Sequence, residues 1–484
     1  MIRTLLFIPL FGGLLSFMIA SDRLRRAVLV LTALCHFTAV FVLWNKGFAP
    51  LGDTWLGIDA LGLLFLLIAS TLFLMAAVYT VGYLAGHPHA SIPDKRFSRE
   101  SIFTGSFIFF LGTMTLAIMS QHVGVFWMAI ESTTLASAPL ISYQHSPRSL
   151  EAAWKYLLIC SVGIALALIG NLALVVSAAF DPALHGLPMT FGALADHAGA
   201  LQSTWIKGAF VFFLVGYGTK MGLAPMHTWL PDAHSESPSP VSALLSGALL
   251  NCAFLGILRV HIILGKAGLA MFSNQLLMGL GLLSMFLAGW FIVQQTNFKR
   301  LLAYSSIEHM GILAIAAGAG TQTHFGAMLH AMNHSLTKGM LFLIAGNILA
   351  AFGTKTVSRV TGIIRVMPIS GILWIAGFLS ICGVPPFGTF VSEFSILYGL
   401  GQSGHWIVMA LMLLALGIIF VGMFRILIPM AYGEPSQELP VSPENGWYVI
   451  PPLILGAAVL VLGCWIPQPL NRLFAQAASL LGAY

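Results

Sequence analysis

Charge is scarce in this chain. Its 484 residues include only 22 Lys and Arg and 16 Asp and Glu, 8% in all, against 58% hydrophobic residues. An average soluble domain carries roughly 25% charged residues, so an ordinary globular enzyme is excluded. Cysteine is sparse too: Cys35, Cys160, Cys252, Cys382 and Cys464 stand singly in apolar stretches. Without paired spacing they make no iron–sulfur or zinc motif. They read as packing residues, and no cofactor is expected in this chain. Linkers, low-complexity runs and hydrophilic domains are also missing; the polar stretches 86–101, 180–204 and 352–368 read as connecting loops, and the turn with Glu434, Glu438 and Glu444 as a solvated one. The net charge of +6 is dispersed over short loops rather than gathered in a patch, which argues against nucleic acid as a partner.

What is present is apolar sequence in runs. A bilayer is crossed by roughly 20 apolar residues, and about fourteen such runs can be counted, so the expected fold is all-α, a polytopic membrane protein in contact with lipid. Cytoplasmic loops hold the excess of Lys and Arg. With the N-terminus outside, inward loops hold Arg23, Arg25, Arg26, Lys95, Arg96, Arg99, Arg148, Lys299, Arg300, Lys355, Arg359 and Arg365, and outward segments hold Arg3, Lys46, Lys266 and Arg472. This asymmetry predicts both termini outside a bacterial or archaeal inner membrane. Residues 467–484 are expected to form a short amphipathic surface helix.

Ionisable residues inside the runs are the chemical signal, because a charge in hydrocarbon costs several kcal/mol and marks an ion path by default. In KMGLAPMHTWLPDAHSESPSPVSALLSGALLN, Lys220 precedes Gly222, Pro225 and Pro231, which predict a broken seventh helix. In FLSICGVPPFGTFVSEFSIL, Gly383, Pro385, Pro386 and Gly388 break the twelfth beside Glu393. Corresponding broken helices are the sequence sign of inverted repeats in transporters. Two five-helix repeats are therefore expected, 102–264 and 271–430, between N-terminal helices in 1–101 and a last helix and tail in 431–484.

Glu131, in VFWMAIESTTLASAP, is a candidate partner for a buried lysine, since opposite charges within about 4–6 Å hold each other ionised. In HFGAMLHAMNHSLTKGMLFL, His330, His334 and Lys338 stand at i, i+4 and i+8, one stripe with steps of about 6 Å along a helix. Imidazole both accepts and donates a proton near neutral pH, so the stripe suits a relay. A metal site is the weaker reading of two His one turn apart, because the glutamate of H-E-x-x-H is absent. His227, Asp232 and His234 read either as an entrance to the path or as a hydrogen-bonded loop. Glu308 is left to pair with His309 or Lys299, or to serve the second channel.

The segment from Lys220 to Arg259, the stripe His330/His334/Lys338 and EAAWKYLLI around Lys155 resemble the antiporter-like subunits shared by respiratory complex I, Mrp-type antiporters and membrane-bound nickel–iron hydrogenases. The resemblance covers nearly the whole chain and implies a proton-translocating subunit with fourteen helices, two inverted repeats and a central hydrophilic axis. It places on that axis Glu131, Lys155, Lys220, His330, His334, Lys338 and Glu393, and it implies partners bearing nickel–iron and iron–sulfur centres. In GALLNCAFLGILR, Asn251 stands where many complex I members have Lys or His. This asparagine, AYSSIEHMGI and LEAAWKYLLI make the likeness strongest to hydrogenase-4 and formate hydrogenlyase membrane subunits. Asn251 also leaves open a membrane scaffold that does not pump.

Overall fold

Runs of Leu, Ala, Ile and Phe with so few polar side chains leave the backbone one economical way to satisfy its hydrogen bonds in hydrocarbon, within the segment itself. In the computed structural model, which describes residues 2–47, 55–86, 98–435 and 444–482, those runs are helices. In order they are α1 (Ile2–Met18), α2 (Asp22–Lys46), α3 (Ala60–Gly86), α4 (Arg99–Met119), α5 (Val123–Ile141), α6 (Pro147–Ala179), α7 (Phe191–Asp196), α8 (Ser203–Met221), α9 (Leu230–Glu236) and α10 (Ser239–Leu244). Then follow α11 (Leu250–Lys266), α12 (Ala270–Val293), α13 (Phe298–Gly318), α14 (Thr321–Phe352), α15 (Ile363–Val366), α16 (Pro368–Ile381), α17 (Gly388–Gln402), α18 (Trp406–Tyr432), α19 (Gly446–Cys464) and α20 (Gln468–Leu481).

Eleven spans among the described residues are long and apolar enough to cross a membrane; α8 with α9, and α10 with α11, each count as one. The other three of the fourteen runs are α1, α5 and the interrupted pair α16/α17. No strand forms among the described residues. Isolated bridges tie Leu56 to Ser120 and His122 to Thr190 on one face, and Asn297 to Thr356 on the other.

Helix starts follow the local chemistry. Ser98, Ser146 and Asn297 accept from backbone N–H groups two or three residues on, which satisfies donors left over in the first turn. The apolar windows of the span Ser239–Lys266 and of α13 are buried throughout, whereas α2, α6, α12, α18 and α19 turn apolar side chains such as Leu158, Val162 and Val421 outward. Where helices must touch closely, the residue is glycine. A Cβ on Gly216 of α8 would lie 2.6 Å from the Gly163 carbonyl of α6, and one on Gly281 of α12 would lie 2.6 Å from the Gly311 carbonyl of α13. Backbone atoms cannot step aside, so Gly216→Leu is expected to destabilise the bundle by about 1–3 kcal/mol. A lowered midpoint for loss of the monodisperse peak on heating in detergent would show it; an unchanged midpoint would mean the α6–α8 contact is slack.

Two charges expected in loops are buried instead. Arg25 donates from Nε to the Ser16 carbonyl (3.1 Å), and Lys299, in the first turn of α13, donates to the Ser237 carbonyl (2.7 Å). Lys95, Arg96 and Glu438 lie outside the described residues. The tail helix α20 is amphipathic as expected: Leu473, Phe474, Ala477 and Leu481 are buried, while Asn471, Arg472 and Gln476 face out. On the face that carries the Asn297–Thr356 bridge, a polar cavity of about 700 Å³ opens between Arg99, Arg148, Glu236 and Lys355.

Candidate functional site

Both helix breaks place an ionisable group at a point where backbone groups come free. At the first, Gly222 takes a left-handed conformation (φ 85°) and ends α8 one residue after Met221, so Lys220 sits in the last turn, where the helix dipole favours a cation. The freed groups are met: Trp229 Nε1 donates to the Thr219 carbonyl (2.8 Å), and Ala224 N–H donates to Ser284 Oγ (2.9 Å). Side chains that re-satisfy an interrupted backbone are what allow such a break at membrane depth.

Lys220 is fully buried. Its Nζ donates to Thr134 Oγ1 (2.6 Å) and to the Tyr156 hydroxyl (2.7 Å), and lies 4.6 Å from the centroid of the tyrosine ring. The Glu131 carboxylate accepts from Ser161 Oγ (2.7 Å) and from Thr134 Oγ1 (3.3 Å). Glu131 and Lys220 therefore form no direct ion pair. A threonine hydroxyl accepts from the lysine and donates to the glutamate, so all donor directions along the trio are consistent. Ser137 Oγ closes the cluster at 2.7 Å from the Tyr156 hydroxyl.

Lys155, expected on the buried axis, is not there. Its side chain is 46% exposed and paired with Glu151 (2.6 Å) and Asp232 (3.1 Å). One residue on, a helix has turned by about 100°, and that turn points Tyr156 inward at Lys220. Asp232 also binds Arg300 (3.0 Å), so it belongs to a surface ion cluster. His227 is buried against Phe291 and Tyr304, and His234 is completely buried. His227, Asp232 and His234 thus do not open together as one entrance.

The location of His234 is informative. Its ring stands 6.1 Å from that of Trp229, which in turn lies 4.9 Å from Tyr156, and both its nitrogens lack a hydrogen-bond partner among the described residues. On the other side its ring lies 5.6 Å from that of Phe342 of α14, one turn beyond Lys338. His234 consequently stands between the Lys220 cluster and the α14 stripe. Asn251 stands between the same halves, just beyond a π-helical turn (Leu245–Leu249), a feature frequent at functional sites. Its Nδ2 donates to the Gly247 carbonyl (2.9 Å) and to Ser335 Oγ of α14 (2.7 Å).

The second cluster gathers around α14. Lys338 Nζ donates to the Leu302 carbonyl (2.8 Å) and to the Ser305 hydroxyl of α13. His330 and His334 share its stripe, but the closest partner of His330 is His309 of α13, with 2.9 Å between His330 Nε2 and His309 Nδ1. The rings of His309 and His334 are 5.2 Å apart. His309 Nε2 reaches the Ile381 carbonyl (3.1 Å), an acceptor left over where α16 ends, and His330 Nδ1 reaches Ser392 Oγ of α17 (3.0 Å). Glu393 is buried with Oε1 unpartnered among the described residues, and its carboxylate packs on Gly383 so closely that a Cβ there would lie 2.1 Å from Oε2. Glu308 is buried with Oε2 unpartnered, and binds neither His309 nor Lys299.

Thr134, Tyr156, Ser161 and Ser392 are not marked by the sequence, and His309 is marked there only as a possible partner of Glu308. Hydroxyls are common in membrane helices and carry no signal alone. His309 had one, a second ionisable residue beside Glu308 in an apolar run.

A bundle of apolar helices long enough to cross a membrane, with lysine, histidine and glutamate side chains buried inside it, defines the class: a polytopic membrane protein with a polar interior. A profile of the transmembrane NADH:quinone oxidoreductase/Mrp antiporter family matches residues 120–419. The hydrogenase-4 component F homolog of Methylacidiphilum infernorum is 35% identical over 483 residues, covering 98% of each chain. Subunit N of the NADH-quinone oxidoreductase of Desulforudis audaxviator is 29% identical over 89% of this chain and 86% of its own. A subunit of the archaeal membrane-bound sulfane sulfur reductase superposes with a TM-score of 0.88 at 21% identity, over 99% of this chain and 97% of that one. The chain belongs to the NADH:quinone oxidoreductase/Mrp antiporter family of transmembrane subunits.

Proposed function

We propose that this chain translocates protons as the antiporter-like subunit of a membrane-bound, energy-converting complex of the hydrogenase-4 type. The carrying observation is the set of polar groups inside the bundle: the part-buried Glu131 with buried Thr134, Lys220 and Tyr156 in one half, His234 and the Asn251–Ser335 bond between halves, and Lys338, His334, His330, His309 and Glu393 in the other. Two inverted repeats, 102–264 and 271–430, would each supply one half-channel. Asn251 does not titrate; it fixes α11 against α14, while His234 can carry the proton across the seam.

The redox chemistry would reside in partner subunits with nickel–iron and iron–sulfur centres. A charge change there alters the balance between Glu131 and Lys220, and a proton moves from the cytoplasmic side toward Lys338 and Glu393 for release outside. The complex would lie in the inner membrane of a bacterium or archaeon with both termini of this chain outside.

The test is proton uptake by vesicles containing the purified complex, followed with a pH-sensitive dye while partners turn over. Glu131→Gln and His234→Phe are each expected to lower proton flux by about 100-fold, the smaller end of what a positioned proton-transfer group contributes, with the complex still assembled. Normal stoichiometry in Glu131→Gln would sink the assignment, and redox turnover independent of pH across the Glu and His range would favour a scaffold. Mass spectrometry of co-purifying proteins decides the assembly: NADH-oxidising and quinone-reducing partners would make it complex I, and antiporter-like subunits without redox proteins an Mrp exchanger.

A further inference from the structure

The meeting point of α13, α14 and the broken α16/α17 span has a property that a proton path does not require. His309, His330 and Glu393 each turn one donor atom toward a common point, and these atoms lie within 4.8 Å of one another. The other nitrogens of both rings are engaged on the far side. His309 Nε2 faces a backbone carbonyl, Ile381 O, which can only accept, so that nitrogen carries the hydrogen and Nδ1 offers its lone pair inward. His330 Nδ1 faces Ser392 Oγ, and Ser392 Oγ donates in turn to the Thr389 carbonyl (2.9 Å). When that hydroxyl proton goes to Thr389, His330 Nδ1 is the donor and Nε2 offers its lone pair inward; when it goes to His330 Nδ1, Nε2 carries the hydrogen that bonds it to His309. The two inward nitrogens stand 2.9 Å apart, a separation that either a shared proton or a metal cation can bridge.

The third donor completes the set. Glu393 is 6% exposed, and its Oε1 has no partner among the described residues. Histidines whose outer N–H groups are held by a backbone carbonyl or a hydrogen-bonded relay, with a carboxylate beside them, are the arrangement that orients metal ligands. We propose that His309, His330 and Glu393 form a binding site for one zinc ion. Two neutral imidazoles and a carboxylate suit this borderline cation better than Mg²⁺ or Ca²⁺, which take oxygen ligands. A tetrahedral zinc with Zn–N bonds of about 2.0–2.1 Å holds two nitrogens about 3.3 Å apart, so the pair has to open by only a few tenths of an ångström. The carboxylate occupies the space a side chain at Gly383 would fill, so this glycine is what admits the third ligand. Water would fill the fourth position.

Zinc in this place uses both lone pairs through which a proton would pass between His309 and His330, so it acts as a plug. The plug rests on the proton path proposed above; the binding does not. Binding is measured on the full chain in its purified complex in nanodiscs, as the Zn²⁺ retained per chain after equilibrium dialysis, with Co²⁺ as a spectroscopic probe. The expected result is one site whose Co²⁺ form shows intense tetrahedral absorption bands. His330→Gln and Glu393→Gln are each expected to weaken binding by about 100-fold and to abolish those bands. Ser392→Ala keeps all three ligands and releases only the outer hydrogen bond, and is expected to weaken binding by about 10-fold; it stands in for the ligand variants if either fails to assemble. His185→Ala, at a surface histidine, should change nothing. Unchanged affinity in the ligand variants, or weak octahedral bands only, overturns the site and leaves adventitious surface binding. Zinc that binds here in the wild type without slowing proton uptake overturns instead the route through His309 and His330.

Discussion

Replacing Lys220 with methionine is expected to abolish proton translocation, a loss of at least about 100-fold in vesicle proton uptake, while the complex assembles and its soluble partners still turn over. Lys220 donates to both the Thr134 and Tyr156 hydroxyls and is the one cation of the first cluster among the described residues, so its loss removes the group that can exchange a proton between Glu131 and the groups beyond Tyr156. Methionine has nearly the length of lysine and no polar head. Lys220 makes no direct ion pair, and the Glu131 carboxylate coupled to it through Thr134 is part-buried and keeps the Ser161 and Thr134 hydroxyls, so removing the cation strands no fully buried charge. Assembly and transport should therefore separate cleanly. Lys220→Arg is a second arm: the guanidinium stays charged in proteins, so it keeps the donors and removes the proton exchange, and it should be as inactive as methionine. An active Lys220→Arg would mean that this side chain serves only as a fixed charge.

The breaks that create this site are legible in sequence because glycine and proline write backbone conformation directly. Gly222 and Gly383 adopt φ of 85° and 63°, where a side chain is disfavoured, and each ends a helix beside the ionisable residue the sequence had marked. The α14 stripe is legible for a similar reason, since helical periodicity alone aligns His330, His334 and Lys338. The partners across helices are not legible. Thr134 and Lys220 are 86 residues apart, and His309 and His330 belong to different helices, so their meeting depends on how each helix is rotated about its own axis. The Lys155/Tyr156 pair shows how sharp that dependence is, because two adjacent residues divide a surface ion cluster from the buried row. His234 reads in sequence either as an entrance group or as part of a hydrogen-bonded loop, and its completely buried place between the Trp229 and Phe342 rings depends on helix packing that the sequence does not display.

The largest effect on stability is expected away from this row, at Asp59 and Arg259. Arg259 Nη1 and Nη2 donate to the two Asp59 oxygens (3.0 and 3.3 Å), in a pair where the arginine is 4% and the aspartate 14% exposed. Asp59 Oδ1 also accepts from Gly62 N–H (2.7 Å), so one carboxylate caps the start of α3 and ties it to α11, 200 residues away. Breaking a buried pair from one side costs about 3–5 kcal/mol, because the remaining charge is left uncompensated. The two sides are unequal. Asp59→Ala strands a guanidinium whose Nε already lacks a partner among the described residues, and removes the cap as well. Arg259→Met leaves a carboxylate that keeps the Gly62 N–H. Asp59→Ala should therefore be the more damaging, and Asp59→Ala/Arg259→Met should recover part of the loss. Thermal midpoints of the four proteins in detergent give the coupling; simple additivity would show that the bidentate contact contributes nothing beyond its separate halves, and that α3 is held to α11 by apolar packing alone.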